Sequence, residues 1–514
     1  MLPTTAPCFE GNIRKGFMKM ADGRRSRRRQ NANRRVFVKS IILLILLAVL
    51  GGAIWILAKQ IRDKDTPDVE AALDRPVDYT PIPDVEETPD AGDDAGATLD
   101  QPATGSKEEL MVSADILAMQ YDYDAAIAEL DSIEGGADDS EVQAKKAEYQ
   151  ATKDSCVAVN PNEVTHIFYH SLVVDPEKGF GGDDSLAAGF SQWMTTVDEF
   201  NRVTEEMYKK GYVMIHLRDL IEETVDENGT VHMKEKQLML PLGKKAFVMS
   251  MDDLSYYHSY DNKGIASRLI LDEYGQVKNE YIENDGSISV GDYDYVPLLD
   301  QFVKEHPDAS YRGAKATVAL TGYNGVLGYR TDEVYNTRDP ERLGKDQKAW
   351  LDAHPDFNFA EDIAMATKIA DVMKENGWEF ASHTWGHRHI AQIPLDQLQQ
   401  DTERWENNVA PIVGDTDTII FAHGEDLNDW QDYDPADPKF SYLKERGYNY
   451  FCNVDSAQYF LQIRDNYVRQ GRRNIDGYRL YQDLINPDAA TRKTADLFDI
   501  NDVYDKRRPD VPDL

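Results

Sequence analysis

Cysteine is nearly absent from this chain: its 514 residues include three, Cys8, Cys156 and Cys452. No C-x-x-C pair occurs, which excludes a disulfide framework and leaves Cys156 and Cys452 as one candidate pair. Positive charge is scarce as well. Lys and Arg number 56 against 92 Asp and Glu, for a formal net charge of -36. Such a chain repels phosphate, so nucleic-acid binding is excluded as its general business. Long apolar runs are equally rare, and one stands out, IILLILLAVLGGAIWILA from Ile41 to Ala58.

That run carries no charge and is bracketed by Lys39 and Lys59, with Trp55 near its far end. At about 1.5 Å per residue it crosses most of a bilayer as a helix. Arg24, Arg25, Arg27, Arg28 and Arg29 lie just before it. Read alone they resemble a nucleic-acid or lipid patch, but their position puts the N-terminus in the cytoplasm and the rest outside. No A-x-A-like site follows directly, so the run reads as an uncleaved anchor and not as a signal peptide.

The expected layout follows from composition. Residues 1–35 form a basic cytoplasmic tail and 36–60 a transmembrane helix. Residues 61–106, rich in Pro, Asp, Thr and Gly, form a disordered acidic linker. Residues 107–157 show helical spacing with a break around Tyr121–Tyr123, and read as a helical hairpin or stalk. Residues 163–484 form one large domain, and 485–514 a charged C-terminal tail. Within the large domain THIFYHSLVV, KKAFVMSMDD, KATVALTG, WEFASH, DTIIFAHG and YNYFCNV are short β-rich runs. Amphipathic helical stretches separate several of them, which predicts an α/β fold with a parallel sheet or β/α barrel. Chemistry in such folds gathers at the C-terminal ends of strands.

Two constellations sit at such ends. Asp252-Asp253 closes the run AFVMSM. Two adjacent acids there repel unless one holds a cation or a proton. His383-Thr384-Trp385-Gly386-His387 follows WEFAS, and its two His, four apart, can face one metal ion. Taken together, one Asp and two neutral imidazoles make an N/O site suited to zinc, and the other Asp stays free as a base for water.

On these motifs the region from Thr165 to Asp476 resembles the polysaccharide deacetylases of carbohydrate esterase family four. That family carries an Asp-Asp pair after one strand and His-Ser/Thr-x-x-His after another. Supporting matches are FYHSL from Phe168, GYVMIHLRDL from Gly211 and KATVALTG before Tyr323. The resemblance implies a distorted (β/α)7 barrel that removes acetyl groups from sugars. It implies Asp252 as general base and Asp253, His383 and His387 as ligands of a divalent metal, with zinc first and cobalt or manganese as alternatives. A backbone N–H, that of His423, would hold the oxyanion, with His423-Gly424 standing in the family's Tyr-Gly positions.

The pattern also departs from the family. Leu254 replaces the usual Gly, and FAHGED lacks the Arg and Pro of the third motif. The Arg that orients the base has no evident counterpart, nor has the late Leu-x-His that supplies the acid. His423 is the candidate acid in its place. Ser259–Tyr295 and Asn324–Asp356 read as loop-rich insertions. Tyr323, Trp385 and Gly424 are the expected substrate contacts, and Tyr323 and Tyr329 in TGYNGVLGYR either line a cleft or pack in the core.

Two functions compete at this stage. One is a membrane-anchored bacterial deacetylase acting outside the cell on peptidoglycan or a GlcNAc polymer. The other is an impaired relative that binds glycan, or binds a protein partner through the helical segment.

Overall fold

The computed structural model describes residues 105–182, 185–455 and 458–511. The expected basic tail, the transmembrane helix and nearly all of the linker lie outside the described residues. Among the described residues no helix is long and apolar enough to cross a membrane.

Eight parallel strands build the centre: β1 Thr165–Tyr169, β2 Tyr212–Met214, β3 Lys245–Asp252, β4 Thr317–Leu320, β5 Glu379–Ser382, β6 Thr418–Ile420, β7 Tyr450–Val454 and β8 Tyr467–Asn474. Seven of them close a barrel in the order β1-β3-β4-β5-β6-β7-β8, with β8 returning to β1. Strand β2 pairs only with the first half of β3, and β4 takes over along its second half. This is the (β/α)7 barrel expected. Strands covered on both faces are buried along their whole length, as β1 and β4 are. Helices cover most crossovers, among them Val197–Lys209, Phe359–Glu375 and Leu395–Asn408. The β7–β8 crossover has no helix and is spanned by an antiparallel strand, Leu461–Arg464.

Residues 107–155 form three helices. Lys107–Met119 starts on a Ser106–Glu109 capping box, Tyr123–Asp131 on Asp122 and Ser140–Ser155 on Asp139. Tyr121 takes a left-handed φ of 67° at the expected break. The segment packs on the barrel as a cap. Tyr121 donates to the Asp308 carbonyl at 2.6 Å, and the Arg312 N–H donates to the Gln120 carbonyl at 2.8 Å. Arg312 precedes β4 and Lys244, beside the Tyr121 ring, precedes β3. The cap therefore sits at the N-terminal ends of the strands.

One expectation needs correction, and two open points are filled in. The Ser259–Tyr295 insertion is largely an antiparallel sheet of Arg268–Leu271, Val277–Ile282 and Ile288–Gly291. The charged C-terminal stretch is no loose tail: Leu497, Phe498, Ile500 and Val503 are buried, and Arg508 pairs with Glu199 at 2.5 Å with both side chains fully enclosed. Cys156 and Cys452 are both free thiols.

Candidate active site

The C-terminal strand ends open into a cavity of about 530 Å3. Asp252, Asp253, His383, His387, His423, Gly424, His170 and Arg472 all line it. Hydrogen bonds to β4 place the two central motifs. The Asp253 N–H donates to the Ala319 carbonyl at 3.1 Å and the His383 N–H to the Leu320 carbonyl at 3.0 Å.

The two adjacent acids have opposite environments. Asp252 is 3% exposed, and Arg472 on β8 grips both its oxygens, Nη1 to Oδ1 at 2.7 Å and Nη2 to Oδ2 at 2.9 Å. Burial alone would raise its pKa, but the Arg472 charge, helped by His383, holds it well below the usual carboxylate range. Asp253 instead turns outward with a left-handed φ of 62°. Tyr257 donates to its Oδ1 at 3.3 Å, while Oδ2 lies 3.6 Å from His387 Nε2.

Asp253, His383 and His387 each offer a donor atom, and these atoms lie within 4.8 Å of one another. Bond lengths of about 2.0–2.2 Å to each make such a spacing fit a single ion. The His383 tautomer is set as a ligand needs. Its Nδ1–H donates to the Ile420 carbonyl at 2.8 Å, which leaves the Nε2 lone pair facing the other donors. Burial pushes the His383 pKa down to about 4, and burial with the nearby His423 pushes that of His387 down to about 3. Both rings are therefore neutral at pH 7, the form that binds metal. The loop between them is held by Asp401 of Leu395–Asn408. Its carboxylate accepts from the Trp385 N–H at 2.6 Å and the Gly386 N–H at 2.9 Å. Thr384 and His387 have φ of 61° and 51°, so the loop is backbone-strained and Asp401 is what holds it.

Behind Asp252 a directed chain of hydrogen bonds fixes Arg472. Arg472 Nη1 donates to Ser250 Oγ at 3.1 Å, Ser250 to His166 Nε2 at 2.9 Å, and His166 Nδ1–H to Gln470 at 3.0 Å. Gln470 passes the chain on to the Val164 carbonyl at 3.3 Å. Arg472 is thus the residue that holds the Asp252 carboxylate, a contact the sequence did not reveal. His170, at the end of β1, was also missed as a functional group. Its Nδ1–H donates to the Trp193 carbonyl at 3.0 Å, so Nε2 is the nitrogen left for the cavity.

The other expected residues divide. Gly424 lines the cavity with φ 68°. His423 lines it too, but its Nε2–H donates to the His387 carbonyl at 3.0 Å, and its ring stacks on His389 at 3.6 Å. Enclosure and His389 push its pKa down. Trp385 is an interior residue, 4% exposed and outside the cavity wall. Its ring lies against Gly322, where a Cβ would come within 2.1 Å, and under Arg404 at 3.7 Å. Tyr323 stacks on Tyr257 at 5.1 Å, beside the cavity and not on its wall. Tyr329 is buried, with its hydroxyl on the Leu269 carbonyl at 2.9 Å, so it packs the insertion.

No family model and no curated protein matches the chain. Among solved structures, Streptococcus pyogenes deacetylase PplD in complex with acetate is similar at 13% identity and a TM-score of 0.31, over 63% of this chain and 98% of that one. The BpsB deacetylase domain from Bordetella bronchiseptica is similar at 11% identity and a TM-score of 0.29, over 61% of this chain and 97% of that one.

Proposed function

We propose that this chain is a metal-dependent hydrolase that removes acetyl groups from an N-acetylated cell-surface polysaccharide such as peptidoglycan or a GlcNAc polymer. One observation carries the reading: of two neighbouring carboxylates, one is gripped by Arg472 and the other converges with two neutral imidazoles. A binding module has no use for that division of labour, whereas hydrolysis of an amide needs it.

Asp253, His383 and His387 would hold the metal, zinc by the chemistry of the donors, with cobalt or manganese as substitutes. When bound, the ion supplies Lewis acidity to an amide carbonyl and to water. Asp252 takes the proton of the attacking water, and Arg472 keeps it ionised and aimed. We assign the His423 N–H, beside Gly424 in the cavity wall, as the donor to the developing oxyanion. An imidazolium can supply a proton to the leaving amine while Asp252 keeps the one taken from water. His423 was the sequence candidate, but its Nε2–H is committed to the His387 carbonyl. We assign the acid to His170, whose Nδ1–H is held by the Trp193 carbonyl, so that a proton carried on Nε2 of the imidazolium is the one available to the amine. The binding-module alternative rested on a missing Arg and a missing acid; Arg472 and His170 are the residues we put in those places.

The reading places the enzyme at a bacterial cell surface, anchored through Ile41–Ala58, with that apolar run as its support. The test is acetate release from N-acetylglucosamine oligomers and from peptidoglycan. Release that stops with chelator and returns with zinc supports the reading. A protein that binds zinc and releases no acetate from any acetylated glycan refutes it.

A further inference from the structure

Part of the cavity wall is apolar, and one member of it is not covered. Leu186, Phe190 and Met194 line the cavity from Ser185–Trp193 and the residue after it. Phe190 and Met194 are buried, but Trp193 remains 41% exposed while lining the same space. A large aromatic surface open to water is unfavourable unless something covers it in use.

Its backbone is unusually well held. Arg508, from the C-terminal stretch, donates to the Ser191 carbonyl at 2.9 Å and the Met194 carbonyl at 2.8 Å, on either side of Trp193. The Trp193 carbonyl itself accepts from His170. Its main chain is thus fixed from two directions, which suits a recognition surface, since little ordering is required on binding. The occupant must join the reacting group and present a flat apolar face with polar edges. A pyranose ring has such a shape: its axial C–H faces are apolar and its hydroxyls lie at the rim, matching the face of an indole.

We infer that Trp193 is a stacking platform for the sugar ring next to the one that is deacetylated, so that the site selects polymers over single sugars. The inference rests on the deacetylase reading for the identity of the ligand. Because the Trp193 carbonyl orients His170, a ring docked on the indole sits beside the group assigned as acid. The other exposed large aromatics among the described residues, Trp430 at 70% and Tyr274 at 78%, do not line this cavity.

The test compares kcat/KM for penta-N-acetylchitopentaose with that for N-acetylglucosamine, in the full chain and in Trp193→Ala and Trp193→Phe. The preference for the pentamer should fall about tenfold in Trp193→Ala and return largely in Trp193→Phe, the scale expected for one lost aromatic contact. An unchanged preference in Trp193→Ala overturns the inference, and so does failure of Trp193→Phe to restore it. Calorimetric titration of the pentamer into Asp252→Asn separates the subsite from the chemistry. Binding that weakens on adding Trp193→Ala, with no acetate released by the parent chain, keeps the subsite and sinks the hydrolase. Acetate release with pentamer binding indifferent to Trp193 does the reverse, and no pentamer binding at all overturns the subsite.

Discussion

The two ends of the barrel hold similar inventories and use them differently. At the N-terminal ends of the strands a cavity of about 760 Å3 is lined by Arg218, Trp378, Glu379 and Asp417, among others. Its charges pair with one another: Arg218 Nε with Glu379 at 2.5 Å and Nη2 with Asp417 at 3.1 Å. Thr317 donates to the other Glu379 oxygen at 3.3 Å, and His216 Nε2–H to the Gly377 carbonyl at 2.9 Å. The C-terminal cavity is smaller, about 530 Å3, yet there Asp253, His383 and His387 aim donor atoms at a common point. Size does not mark the reactive end. What marks it is a set of donors, one buried and two at the cavity wall, that satisfy one another poorly and would satisfy one cation well.

The comparison breaks first if Asp252 is dispensable. Asp252→Asn should lower acetate release by about 10²–10⁴-fold, the usual loss when a general base is removed, while metal stoichiometry stays the same. Full activity in that variant would end the assignment of the base. Next in size is Arg472→Ala. It strands a buried carboxylate and should destabilise the chain by about 3–5 kcal/mol in urea unfolding. A loss no greater than that of an exposed pair would mean Arg472 and Asp252 are not coupled as described.

A smaller effect concerns pH. Burial and the Arg472 charge push the His166 pKa down to about 3. The unfolded chain, with ordinary His, then binds more protons than the folded one between about pH 6.5 and 3. Stability is therefore complete above that window and is lost as pH falls through it. His166→Gln keeps a donor and an acceptor and should reduce the loss between pH 7 and pH 5 by about 2 kcal/mol, measured on metal-free protein. An unchanged pH profile would show that His166 is already accessible to protons. The smallest effect is expected at the other end. Arg218→Ala removes two part-exposed ion pairs and should cost about 1–2 kcal/mol at most, with acetate release within a few-fold of the parent. A large loss of turnover there would remove the distinction between the two ends.

Much of the reactive end was legible because it is local in sequence. MDD and HTWGH each close a strand, and strand ends are where a β/α barrel places its chemistry. Arg472 was not legible. It lies in YVRQGRRN, where three Arg and a Gly mask a buried strand. Each of those Arg is paired: Arg469 with Asp426, Arg472 with Asp252 and Arg473 with Asp496. Asp252 is 220 residues away, and nothing in the local pattern points to it. A cluster of Arg in a chain so acidic was a signal that could have been followed. Trp385 is different. It was expected as a substrate contact, whereas the chain between His383 and His387, with left-handed turns at Thr384 and His387, sets its ring inward against Gly322. The C-terminal stretch looked polar because its buried Arg508 is neutralised by Glu199, a partner that sequence cannot display.

The most direct measurement is a cobalt(II) titration of metal-stripped protein followed by visible absorption, in the full chain and in Asp253→Ala, His387→Ala and Arg218→Ala. The account predicts one ion per chain, lost in the first two variants because two remaining donors make a poor site, and retained in Arg218→Ala. Saturation at one ion that ignores Asp253 and His387, or no uptake by the full chain, would contradict it.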